Sequence, residues 1–172
     1  MDISEKRTKT KLLFICHGNI CRSPAAEGII RAKVEERWLD DRFCIDSAGI
    51  GSWHVGEQPD RRMRKHAEQR GYDLSKLRAR QFLPEDFDEF DYIVVMDEEN
   101  YHDVLERMPK AETAEARGRY QAKVLRMKDF FQKFKGVASV PDPYYGGSEG
   151  FELALDLIED GCDGLLSKLT ED

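Results

Sequence analysis

Long hydrophobic runs are missing from this chain. No apolar stretch approaches the ~20 residues of a membrane span, so a membrane protein is not expected. The first ten residues, MDISEKRTKT, carry charge but lead into no apolar segment of signal-peptide length. Positive charge is also in short supply. Lys and Arg number 27 against 34 Asp and Glu, a formal net charge of -7. A general nucleic-acid binder needs a basic footprint, so that class is set aside. Cysteine is sparse: Cys16, Cys21, Cys44 and Cys162. There is no C-x-x-C pair and no second cluster, so the proximity of Cys16, His17 and Cys21 falls short of a zinc site. Reduced thiols in a cytoplasmic protein are the expectation, with no metal and no cofactor.

What remains fits one α/β domain. The 172 residues are 40% hydrophobic and 35% charged, enough for a sizeable core. KLLFIC (11–16) reads as a buried strand. Over 24–38, Ala26, Ile29, Ile30, Val34 and Trp38 recur at helical spacing. RFCIDS (42–47) and FDYIVVM (90–96) read as strands, and KVLRM as a last short one. Helices are expected over 60–69, stopped by Gly71, and over 97–107. Residues 110–122 are helix-prone, FFQKF (130–134) reads as a helical turn, and 151–169 as an amphipathic closing helix. Alternating strands and helices imply a parallel sheet, whose ligands bind beyond the carboxyl ends of the strands. Cys16, Ser47 and Asp97 would stand at such ends, and the loops after Ser47 and before Gly146 can reach the same edge.

The segment FICHGNICRSPAAEG (14–28) carries the chemistry. Phosphate-binding loops between strand and helix are usually rich in glycine. This one offers two thiols, an arginine and Gly18 ahead of the helix. Cys-x5-Arg-Ser presents a sulfur, a curve of backbone N–H groups and a guanidinium around one point, with a helix N-terminus near Ser23-Pro24 aimed at it. Gly18 and Asn19 tolerate the left-handed backbone that the curve needs. Arg22 adds a planar fork that can grip two phosphate oxygens at once. A free thiol titrates near ~8.5 and is lowered at such a position, so Cys16 is expected to be a nucleophilic thiolate, supported by Ser23, that attacks phosphorus. The bland reading is a buried cysteine on a strand before an ordinary helix start. A leaving alkoxide or phenoxide needs a proton, and Asp142 in PDPYYGG (141–147) is a candidate acid on a loop restrained by two prolines. Alone, that segment would pass for a turn.

Together these stretches resemble the low-molecular-weight protein tyrosine phosphatases. The likeness rests on CHGNICRSPAAEG and DPYYGG. It runs through SAGIGSWHVGEQPD and FLPEDFDEFDYIVVMDEEN into the closing helix. It implies a four-stranded parallel twisted sheet with helices on both faces, a flavodoxin-like phosphatase fold, over 11–172, with 1–10 as a flexible extension. It implies that Cys16 is the nucleophile, Arg22 the phosphate ligand, and Asp142 the acid and later the base. His17, Gly18, Asn19, Ile20, Cys21, Ser23 and Ser47 would bind phosphate or support the loop. Trp53, Tyr144 and Tyr145 would line an aromatic slot for phosphotyrosine on a protein substrate, with phosphate or vanadate as inhibitors. The resemblance favours a redox role for Cys16 and Cys21, in which Cys21 rescues oxidised Cys16; packing under the loop is the alternative.

Two positions depart from the pattern. His17 follows the nucleophile where many relatives carry an apolar residue, and a solvent-facing ring there would alter substrate choice. Arg70 precedes Gly71 where several relatives have a histidine that supports the loop. That leaves the support of Asn19 open, with His66 as a substitute or simply a surface histidine. Arsenate reductases share the opening loop but need further cysteines, and none lies between Cys44 and Cys162. A phosphotyrosine-binding module without turnover would not need Cys16, Arg22 and Asp142 together.

Overall fold

The structure is a computed structural model and describes residues 8–171. The expected extension over 1–10 lies, up to residue 7, outside the described residues; Thr10 already opens the first strand. Four strands make one parallel sheet: β1 (Thr10–Cys16), β2 (Phe43–Gly49), β3 (Tyr92–Val95) and β4 (Val124–Arg126), in the order β2-β1-β3-β4. Leu12, Leu13, Phe14 and Ile15 of β1 are fully buried, as a strand covered on both faces must be. Side chains alternate across the sheet. Leu12, Phe14 and Val94 face one core, while Leu13, Ile15, Ile93 and Val95 face the other. Helices α1 (Arg22–Glu36), α2 (Arg61–Gln69) and α6 (Ser148–Leu169) cover the first face. The short α3 (Asp86–Glu89) and α4 (Glu98–Glu106) bring Phe87 and Val104 to the second, and α5 (Ala114–Ala122) adds Tyr120 at its margin. Among the described residues no helix is long and apolar enough to cross a membrane.

Three details differ from the sequence expectation. The first helix starts earlier, at Arg22, and ends at Glu36. Trp38 therefore leaves the helical face. It sits at φ 57° and is 87% exposed, because the chain turns left-handed just past the cap. The turn expected over 130–134 lies earlier, as a 3-10 turn at Met127–Phe130. The N–H groups of Gln132, Lys133 and Phe134 instead donate to the buried Asp160 carboxylate on α6. A long-range carboxylate thus takes the donors that a helical turn would have used itself. The close approach also explains Gly164 in α6, where an added Cβ would lie 1.9 Å from the Phe130 carbonyl oxygen. Finally, α3 was not expected; Asp86 accepts from the Leu83 N–H as that turn forms.

Candidate active site

Cys16 ends β1 and the chain then curls tightly before α1. Asn19 takes the left-handed conformation at φ 58°. Gly18, expected to share it, is not left-handed; its Cα instead lies under the His54 ring, which an added Cβ would approach to 3.1 Å. The loop's carbonyls are turned outward. Those of Cys16, His17 and Ile20 accept from the N–H groups of Ile50, Gly51 and Asp60. Peptide planarity then turns the N–H groups of the following residues toward the hollow of the curve. The first turn of α1 has no side-chain cap, so its positive end also faces there.

A hydrogen-bond chain behind the loop holds this shape. Asn19 Nδ2 donates to Ser23 Oγ at 2.8 Å and to Ser47 Oγ at 3.0 Å, and its Oδ1 accepts from the Arg80 N–H at 3.0 Å. Because Arg80 N–H can only donate, the orientation of the amide is fixed. The Ser47 hydroxyl donates to Glu27 Oε1 at 2.7 Å. Ser23 Oγ lies 3.0 Å from Cys16 Sγ and 3.4 Å from the Ala48 carbonyl. Its single proton is best placed on the sulfur. Burial pushes the Glu27 carboxyl above its usual range, partly offset by the Ser47 hydroxyl and by Arg31. Asn19, Ser23, Ser47 and Glu27 are all buried.

The guanidinium of Arg22 is 2% exposed. Its Nη1 donates to Asp97 Oδ2 at 2.6 Å and to the Val140 carbonyl at 2.9 Å, while Nη2 lies 3.7 Å from Asp142 Oδ2. Its Nε is buried without a partner among the described residues, an unused donor beside the loop. Burial opposes its charge, but Cys16, Asp97 and Asp142 outweigh burial and raise its pKa. Asp142 Oδ1 accepts from the Tyr144 N–H at 3.0 Å, which fixes the carboxylate within its own turn.

These groups surround one cleft of about 330 Å³. The loop from Cys16 to Arg22 forms its floor; Trp53, His54, Asp142, Tyr144 and Tyr145 form its walls. His17 is exposed, with its ring tilted on Trp53 at 4.7 Å. Tyr144 and Tyr145 meet edge to face at 4.9 Å. Cys21 is 3% exposed and reduced, and burial, with Asp60 and Cys16 nearby, pushes its thiol well up.

Two candidates lie elsewhere. Arg70 is not at the loop: it ends α2 and pairs with Glu152, Asp156 and Glu159 of α6. His66 does not support Asn19; it is half-buried on α2 and stacks on Phe151 at 5.6 Å with its Nδ1 3.5 Å from Glu152. The Arg80 backbone fills the supporting place. A backbone donor leaves no residue-type signal, so sequence reasoning could not find it. Asp97, Glu27 and His54 were also missed as site residues. Asp97 alone had a signal, its place at a strand's carboxyl end.

The model of the family described as low molecular weight phosphotyrosine protein phosphatase matches residues 11–172. A Synechocystis sp. protein, provisionally named a low molecular weight protein-tyrosine-phosphatase, is 50% identical over 159 residues, 92% of this chain and 96% of its own. The Bacillus subtilis low molecular weight protein-tyrosine-phosphatase YfkJ is 36% identical over 161 residues, 94% and 96% of the two chains. A solved protein tyrosine phosphatase from Entamoeba histolytica superposes with a TM-score of 0.85 at 43% identity, covering 94% of this chain and 97% of its own. The match spans both the cysteine loop at the end of β1 and the Asp142 loop, and the chain belongs to the low molecular weight phosphotyrosine protein phosphatase family.

Proposed function

We propose that this protein hydrolyses phosphotyrosine on protein substrates through a cysteinyl-phosphate intermediate, without a metal. The observation that carries this reading is the gathering of Cys16, Arg22 and Asp142 around one cleft. The phosphate sits in the hollow of the loop, held by backbone N–H groups and by the Arg22 fork. The Cys16 sulfur attacks phosphorus and the bond to the tyrosine oxygen breaks. Asp142 gives its proton to that oxygen. Water then attacks phosphorus, Asp142 takes its proton, and the sulfur leaves with its electron pair. Trp53, Tyr144 and Tyr145 wall an aromatic slot for the ring. The anion is held chiefly by the loop and Arg22, so Cys16→Ser is expected to abolish turnover of p-nitrophenyl phosphate in a chelator while phosphate or vanadate still binds. Loss of the parent's activity in chelator, or clear turnover by the variant, removes the mechanism.

The same cleft supports redox protection. Peroxide oxidises the Cys16 sulfur to sulfenic acid, and the Cys21 thiol condenses with it, forming the disulfide and releasing water. Burial keeps Cys21 a neutral thiol, so peroxide meets Cys16 first. Phosphate should shield the enzyme and a thiol reductant restore it. In Cys21→Ser, inactivation persists but recovery falls; full recovery would leave Cys21 a packing residue.

A further inference from the structure

A second concavity lies on the other side of the cleft's tyrosine wall. It has a volume of about 580 Å³ and runs between α2 and the start of α6, with Arg62, Lys65, His66 and Gln69 on one side and Ser148, Phe151 and Glu152 on the other. Arg62 joins the two spaces. Its guanidinium lies 5.5 Å from the Tyr144 ring centroid and 4.8 Å from that of Phe151, and it donates to the Tyr144 carbonyl at 2.9 Å. A peptide whose phosphotyrosine fills the cleft, and which leaves it over Tyr144, enters this groove within about two to four residues at the reach of an extended chain.

The charge here is opposite to that of the whole chain. Four of the first five residues of α2, RRMRK, are cationic, in a chain of formal net charge -7. Among the described residues Arg61, Arg64 and Lys65 have no ion-pair partner. Arg61 and Lys65 are exposed and one helical turn apart, on one face. Arg62 is paired with Asp60 and so contributes less net charge. The groove's own carboxylate, Glu152, is occupied by Arg70 at 3.1 Å and lies 3.5 Å from His66. Among the described residues Glu68 of α2 and Glu149 at the start of α6 also have no ion-pair partner, so the three unpaired cations leave a small positive excess on this side of the cleft.

We propose that this groove docks an acidic segment of the phosphoprotein substrate, with carboxylates a few residues from the phosphotyrosine. The inference rests on the phosphatase reading above and names the substrate class for that site. A chain of net negative charge repels acidic proteins at long range. Recognition of such a substrate must then come from a local cationic patch, and α2 provides one beside the cleft. Contacts with exposed charges are individually weak and screened by salt. Their effect falls on KM and on association rate and leaves the chemical step alone.

The test uses phosphotyrosine peptides of equal length, with Glu or with Gln at two to four residues before, or after, the phosphotyrosine. Phosphate release is measured for the parent and for the double charge reversal R61E/K65E, with p-nitrophenyl phosphate as the control. The parent should prefer an acidic peptide by about three- to ten-fold in kcat/KM at low salt, through KM, and the preference should shrink as salt is raised. In R61E/K65E the preference should vanish or invert, while p-nitrophenyl phosphate is turned over as by the parent, which also reports an intact fold. Equal rates on Glu and Gln peptides by the parent, or a preference that survives the double reversal, overturn the groove alone. Failure of the parent to turn over any of these esters overturns the phosphatase reading instead.

Discussion

The two halves of the cleft are built differently. Apart from the exposed His17 and the half-buried Gly18, the loop from Cys16 to Ser23 is buried, and its key polar side chains are tied into one chain: sulfur to Ser23, Ser23 to Asn19, Asn19 to Ser47 and Arg80, Ser47 to Glu27. The Asp142 loop lies on the surface. Tyr145 is 91% exposed, and the loop is held by the Asp142–Tyr144 turn and by Arg62 on the Tyr144 carbonyl. On the proposed mechanism the first half binds an anion, which requires several donors at fixed spacing, and the hydrogen-bond chain behind the loop sets that spacing. On the same mechanism the second half delivers a proton, which requires only one carboxyl group within reach and tolerates a looser frame. Damage to the first half should cost both stability and activity; damage to the second should cost activity alone.

The largest expected effect breaks the acid half. Asp142→Ala should lower kcat on phosphotyrosine by about 10²–10⁴-fold, and less on an ester with a very good leaving group. The thermal midpoint should stay within a degree or two of the parent, because beyond its own turn Asp142 makes one long contact, 3.7 Å to Arg22, which Asp97 and the Val140 carbonyl hold without it. Equal losses across a leaving-group series, measured by steady-state kinetics, would take the acid role from Asp142.

Next comes the buried half. Asn19→Ala removes three hydrogen bonds and puts alanine at φ 58°. A loss of about 2–4 kcal/mol in urea unfolding is expected. The kcat should fall by roughly 10²-fold, since a displaced loop misplaces the phosphate. A stable but inactive variant would show that the chain behind the loop serves catalysis and not stability.

The smallest effect concerns the joint between the halves. Asp60 caps α2, accepting from the N–H groups of Arg62 and Met63, while its own N–H donates to the Ile20 carbonyl of the phosphate loop. Burial alone would raise its carboxyl, but the hydrogen bonds from Arg62 and Met63 outweigh it and hold the pKa below the usual value. A depressed carboxyl stabilises the fold above its unfolded pKa, about 3.9, and loses that contribution as the pH falls through the folded value. Asp60→Ala should therefore cost about 1 kcal/mol at neutral pH. The gap to the parent should close below about pH 4, and Asp60→Asn, which keeps an acceptor, should lose less. Unfolding curves across pH check the sign.

Some of this was legible in the sequence because it is local. Leu12–Ile15 are a buried strand by their unbroken apolar run, and the loop motif fits between one strand and one helix. Where reading failed, a local rule was extended past its range. Trp38 kept the helical period, but the helix had already ended, and the backbone there is left-handed. The 130–134 segment is apolar enough for a helical turn, yet Asp160, far along the chain, takes its donors. Arg70, in contrast, was read as a departure from the family's loop-supporting pattern, and the packing of α2 on α6 sends it to Glu152, Asp156 and Glu159.

By itself, then, the sequence determined the parallel α/β class, the strand that ends at Cys16, and a curved loop followed by a helix start, since each depends on neighbours a few residues apart. Tertiary structure alone decided which carboxylate holds Arg22, which backbone donor supports Asn19, and which cation steadies the Asp142 turn. Asp97, Arg80 and Arg62 reach those partners across 75, 61 and 82 residues of chain. No local propensity encodes a contact at that separation. It forms only when burial of the two cores has stacked the strands and brought their carboxyl ends to one edge.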